Sequence, residues 1–125
     1  MITTFTDLMV WKKGHALVLE NYKITAKFPR TETFALVDQM KRAVISITSN
    51  IAEGFGRRGY KEKIQFYYLS LGSLTELQNQ LIVSKDVHYI SQFEFDCLIG
   101  RVTEVSKLLN SLIKSIKFKH ISPAP

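Results

Sequence analysis

The 125 residues include one cysteine, three prolines and six glycines, so little in the chain staples, kinks or loosens it. Cys97 has no second cysteine to pair with. An internal disulfide and a multi-cysteine zinc site are thereby excluded, and the usage fits a reducing, cytoplasmic setting. So few prolines and glycines exclude collagen-like and low-complexity classes. No apolar run is long enough to span a bilayer, so no membrane association is expected. No charged start followed by an apolar stretch and a small-residue cleavage site marks a secretion signal. Period-two alternation of useful length is missing, so strands are not expected. Negative charge is also short: 17 Lys and Arg face 11 Asp and Glu, a formal +6 with a pI near 9.5. Such an excess favours acidic partners, nucleic acid first.

Convergent reactive groups are scarce as well. His15 sits on an apolar helical face, where a lone histidine is expected to be a core residue; His88 falls in a turn and His120 in the tail. No two of them have helical ligand spacing, and HExxH is absent. Cys97 has no neighbouring His or basic group to activate it and reads as a small core residue. Ser46 and Ser49 near Lys41 suit close packing better than a Ser-Lys pair. The Gly-Phe-Gly turn at Gly54–Gly56 lacks the Lys-Ser/Thr of a phosphate-binding loop and follows a helix rather than a strand. The expectation is a non-enzymatic protein with no catalytic residues, no metal and no cofactor.

What the chain does have is helical periodicity. With 46% hydrophobic residues it can bury a core as a single domain. Thr6 or Asp7 is expected to cap a first helix that runs to about Phe28, with Leu8, Trp11, His15, Val18, Tyr22 and Thr25 on one face; Pro29 ends it. A second helix spans about Phe34–Glu53, its apolar stripe formed by Val37, Met40, Val44, Ile47 and Ile51. Its opposite face, Gln39, Arg42, Ser46, Asn50 and Glu53, is mostly small and neutral-polar, as on a surface packed against another protein. Gly54 is expected to stop this helix. The third helix runs from Gly59 or Tyr60 to about Val87 on Ile64, Tyr67, Leu71, Leu74, Leu77 and Leu81. Leu69, Gly72, Glu76 and Val83 align on its far side, where Gly72 either admits a close backbone or is a tolerated accident. Ser91, with Glu94 three residues on, forms a capping box for the fourth helix, whose stripe runs from Leu98 to Ile116. Residues 1–117 are read as the bundle and 118–125 as a flexible C-terminal tail.

Four long amphipathic helices with short connections imply an all-α, up-down-up-down four-helix bundle. That topology gathers Lys12, Lys13, Arg57, Arg58, Lys61, Lys63, Lys114, Lys117 and Lys119 at one pole. Three carboxylates accompany them, Asp7, Glu53 and Glu62, so the pole carries a formal +6. Phosphate contacts are expected from Arg57, Arg58, Lys61 and Lys63, with Lys12, Lys13 and Lys114 in support. Arg57 could instead pair with Glu53 one turn back, and Glu53 with Arg42 of a neighbouring subunit. A scaffold that recruits an acidic partner protein is the alternative use of the same charge. Self-association is expected through Gln39, Arg42, Ser46, Asn50 and Glu53 and through Leu69, Gly72 and Val83.

Four strings in order, DLMVWKKGHAL, FPRTETFALVDQMKRA, SITSNIAEGFGRR and SLGSLTELQNQL, resemble the four-helix-bundle proteins encoded in 23S ribosomal RNA intervening sequences. The likeness covers about Phe5 to Ile116. It implies a ring-like homopentamer. It also suggests kinship with the accessory protein of diversity-generating retroelements, a pentamer that binds nucleic acid and a reverse transcriptase. The chain departs from the family pattern at Thr48, Ser49 and Gln78, where Pro, Ala and Glu are common. Without that Pro, the second helix should run straight.

Overall fold

The computed structural model describes residues 1–120. Its first ordered feature is a capping box one turn earlier than the sequence suggests. Thr4 Oγ1 accepts from the Thr6 amide at 3.1 Å, while Asp7 Oδ2 accepts from the amides of Thr3 and Thr4 at 2.9 and 3.0 Å. These bonds close a 3-10 turn, Phe5–Asp7, and four helices follow: α1 (Met9–Thr25), α2 (Leu36–Gly56), α3 (Tyr60–Asp86) and α4 (Gln92–His120), with a second 3-10 turn at Arg30–Glu32. No strand occurs among the described residues. The fold is an all-α four-helix bundle.

Each helix runs close beside two others and lies diagonal to the third, so the four close a ring around a single core. Leu17, Met40, Val44, Ile47, Ile51, Leu74, Leu77, Leu81, Val105 and Leu109 are fully enclosed. Burial of each such side chain stabilises by roughly 1.5–3 kcal/mol, which outweighs the few tenths by which helix propensities differ. The stripes expected for α2, α3 and α4 are buried except at Leu71, Leu112 and Ile116, which pack half-buried against the core.

On α1 the buried line is Val10, Gly14, Leu17, Val18, Asn21 and Thr25. The expected face is rotated by about one residue, because two of the true core positions are the small Gly14 and the polar Asn21. A Cβ at Gly14 would meet Thr48 Cγ2 at 3.2 Å, so Gly14 sets the close approach of α1 to α2. His15 is exposed and stacks on Trp11, with centroids 4.7 Å apart, rather than joining the core.

Nor does Gly54 end α2. The helix runs two residues further without a left-handed residue, and unbroken through Thr48. A Cβ at Gly54 would lie 2.6 Å from Cε1 of the buried Tyr67, so the glycine makes room for that ring. Gly72, by contrast, has nothing within 4 Å. The expected capping box of α4 is present: Glu94 N donates to Ser91 Oγ at 3.0 Å and Ser91 N to Glu94 Oε1 at 2.9 Å. α4 continues through His120, so Phe118–His120 are helical rather than tail. The rest of that tail, residues 121–125, lies outside the described residues.

The helices alternate in direction. At one pole Phe5 and Arg57 line a common recess, Leu8 and Met9 face Leu108 and Leu112, and Tyr60 stacks on His120. At the other Phe28 lies against Tyr89, whose hydroxyl donates to Glu32 at 3.3 Å, and Lys27 approaches Glu94.

Candidate functional site

The pole where α1 begins and α4 ends is the basic one, and its cations differ in how committed they are. Arg57 follows the last turn of α2. Its Nη2 donates to Glu53 Oε2 at 3.0 Å, and its guanidinium lies 4.7 Å from the centre of the Phe66 ring. Glu53 therefore takes its charge partner from its own chain, four residues on, as Arg42 takes Asp38 four residues back at 3.3 Å. Lys63 is a structural cap. Its Nζ donates to the Phe55 carbonyl at 2.7 Å and to the Gly54 carbonyl at 3.3 Å, which also accepts from the Arg57 amide, and so caps the last turn of α2. Desolvation in that half-buried position lowers its pKa from the ordinary lysine range. Lys13 reaches Glu104 at 3.7 Å.

Lys12, Arg58, Lys61 and Lys114 are exposed and form no ion pair among the described residues. Arg58 sits in the short α2–α3 turn, Lys61 in the first turn of α3 and Lys12 in the first turn of α1. Nearby Lys117, near the end of α4, donates to Tyr68 Oη at 2.7 Å. Tyr68 is a member of this surface that the sequence reading missed. Its signal was the spacing to Lys61, seven residues and two turns along one face of α3.

The face proposed for self-association divides in two. On α2, Gln39, Arg42 and Glu53 are exposed, whereas Ser46 and Asn50 are half-buried at the α2–α3 seam. There Ser73 Oγ donates to Ser46 Oγ at 2.9 Å, and Asn50 Nδ2 donates to Ser46 Oγ at 3.0 Å. On α3, Leu69 and Val83 are 52% and 41% exposed, and Gly72 lies between them with its surface open.

A recess of about 260 Å³ between α1 and α4 lies towards the opposite pole, lined by Ile24, Phe93 and Leu98 and by charges of both signs, Lys23, Lys27 and Arg101 with Glu20 and Glu94. Cys97 lines it and is exposed, contrary to the core position expected for it. Among the described residues no three His, Cys, Asp or Glu side chains gather where they could hold a metal ion, and no helix is long and apolar enough to cross a membrane.

These features define a four-helix bundle with a cationic tip. The chain belongs to the family of 23S rRNA-intervening sequence proteins, which matches it over residues 6–111. A solved structure similar to it is described as a protein with unknown function from the S23 ribosomal protein family, from Bacteroides thetaiotaomicron VPI-5482. The two align with a TM-score of 0.77 and 24% identity over 85% of this chain and 99% of that one, a likeness of fold. No match was found among curated proteins.

Proposed function

We propose that the chain is a non-enzymatic, oligomeric nucleic-acid-binding protein that holds the RNA or DNA backbone at its basic pole. The observation that carries this reading is the set of exposed cations, Lys12, Arg58, Lys61 and Lys114, contributed by four separate segments to one end of the bundle. Cations from separate elements at one end superpose their fields, and a backbone of phosphates gains from each contact by releasing its own counterions. Arg58 and Lys61 are the main contacts. Arg57 assists from its pairing with Glu53, and Lys63 acts through the shape of the α2–α3 turn.

Assembly as a homopentamer in the cytoplasm belongs to the same reading. The open Leu69, Gly72 and Val83 line on α3 and the exposed Gln39, Arg42 and Glu53 of α2 support it. Five tips on one rim would strengthen the attraction for a polyanion.

Titrating RNA and DNA at about 50 and 200 mM salt tests the proposal. Binding should weaken steeply between the two, and the Arg58→Ala/Lys61→Ala variant should lower the logarithmic salt slope by about two. Unchanged affinity in that variant would remove this site. No binding at low salt, together with a co-purifying acidic protein, would favour a scaffold that recruits that protein.

A further inference from the structure

We infer that the basic pole takes single-stranded rather than duplex nucleic acid, with bases stacking on aromatic rings along the α3–α4 seam. This rests on the nucleic-acid reading above and deepens it. Backbone charge alone serves single and double strands alike. A single strand offers in addition unpaired base faces, which flat exposed rings can cover.

The seam places such rings among the cations. Tyr68 is 47% exposed, and Phe118 on the facing helix is 79% exposed. Lys117 lies 2.7 Å from Tyr68 Oη but 5.2 Å from its ring centre, so the ammonium sits at the hydroxyl end rather than over the ring. Lys61 shares the face of Tyr68, about 10 Å away along α3. On α4, Lys114 neighbours Lys117 and Phe118 at three- and four-residue spacing; Lys117 turns to Tyr68, while Phe118, nine residues from the enclosed Leu109, stands on the outer face of the helix. Tyr68 thus lies at the seam between Lys61 on its own helix and Lys117 on α4, with the Phe118 ring one residue further round α4.

Other aromatics of the pole are not available in this way. Phe66 and Phe55 are half-buried, the first beneath Arg57 and the second near Lys63. The exposed rings Phe34 and Phe93 belong to the opposite end, which the basic cluster does not reach. The exposed Tyr68 ring at the seam and the exposed Phe118 ring beside it on α4 are therefore the ones within reach of Lys61 and Lys114.

The test uses the full chain and a fluorescent oligonucleotide of about twelve nucleotides that does not self-pair, alone and annealed to its complement, as RNA and as DNA. A stacked base is worth roughly fivefold to more than a hundredfold in affinity. Single strands should bind at least about fivefold tighter than the duplex. Tyr68→Ala and Phe118→Ala should each remove about that factor on single strands while leaving the salt slope and the duplex affinity unchanged. Tyr68→Phe, which keeps the ring and loses the Lys117 hydrogen bond, should retain single-strand affinity. Equal or tighter duplex binding, or indifference to both ring removals, overturns the single-strand inference; continued loss in the Arg58→Ala/Lys61→Ala variant then shows that the polyanion reading survives it. Absence of binding to either form removes both.

Discussion

Two residues carry backbone requirements opposite to their type. Gly54 has ordinary helical geometry, and it is glycine because Tyr67 occupies the space of its side chain. His88 has φ 66° in the turn after α3, where its amide donates to Lys85 O and that of Tyr89 to Ser84 O, a position usually filled by glycine. Gly54→Ala should destabilise by about 1–2 kcal/mol: overpacking costs about 1–3 kcal/mol, and the better helix former returns up to about 1. His88→Gly should stabilise by about 0.5–1 kcal/mol. Urea unfolding measures both, and the opposite signs are the expectation. Asp7 gives a pH-dependent counterpart. Hydrogen bonds from the amides of Thr3 and Thr4, and then from the Thr3 hydroxyl, lower its pKa. The group binds protons less readily when folded, so its contribution is present above the ordinary carboxylate range and disappears as pH falls through the lowered value. The protection of the Thr3 and Thr4 amides, measured as exchange relative to the intrinsic rate at each pH, should fall in acid before that of the helices.

At the scale of the element, Lys63 holds the end of α2 from within α3. Lys63→Met should lower stability by about 1 kcal/mol through the two lost carbonyl contacts. It should also weaken nucleic-acid binding less than Arg58→Ala/Lys61→Ala does, as paired melting and binding measurements on the same variants would show. The bounds of α3 and the start of α4 were legible in the sequence, because Gly59 and the Ser91–Glu94 pair are local signals and the caps formed there are local structures. The end of α2 was not legible. Gly54 carries a signal for stopping, yet it answers to Tyr67, thirteen residues away in sequence. The face of α1 was misread for a related reason: Gly14 and Asn21 look like surface residues until α2 and α4 are in place. Of the candidate site, the clustering of cations followed from topology. Which of them are committed to partners depends on side-chain contacts that spacing alone does not distinguish.

For the molecule as a whole, Gly72 separates monomer stability from assembly. Gly72→Ala should stabilise the isolated bundle by about 0.5–1 kcal/mol, because no atom approaches its open side. Gly72→Arg should leave the bundle folded and break the proposed oligomer, which light scattering at micromolar concentration would detect. Loss of the oligomer with an intact helical signal is the expected result, and an unchanged assembly would show that this line of α3 is not an interface. The seams of the bundle are also unequal: α2 and α3, joined by a three-residue turn, share the most extensive one, and α1 meets α4 along the least. During synthesis α1 leaves the ribosome first, yet the smaller part of its landing surface, on α4, is translated last. The first three helices can thus settle on one another as they emerge, and the ring stays open until α4 arrives to meet both of its neighbours.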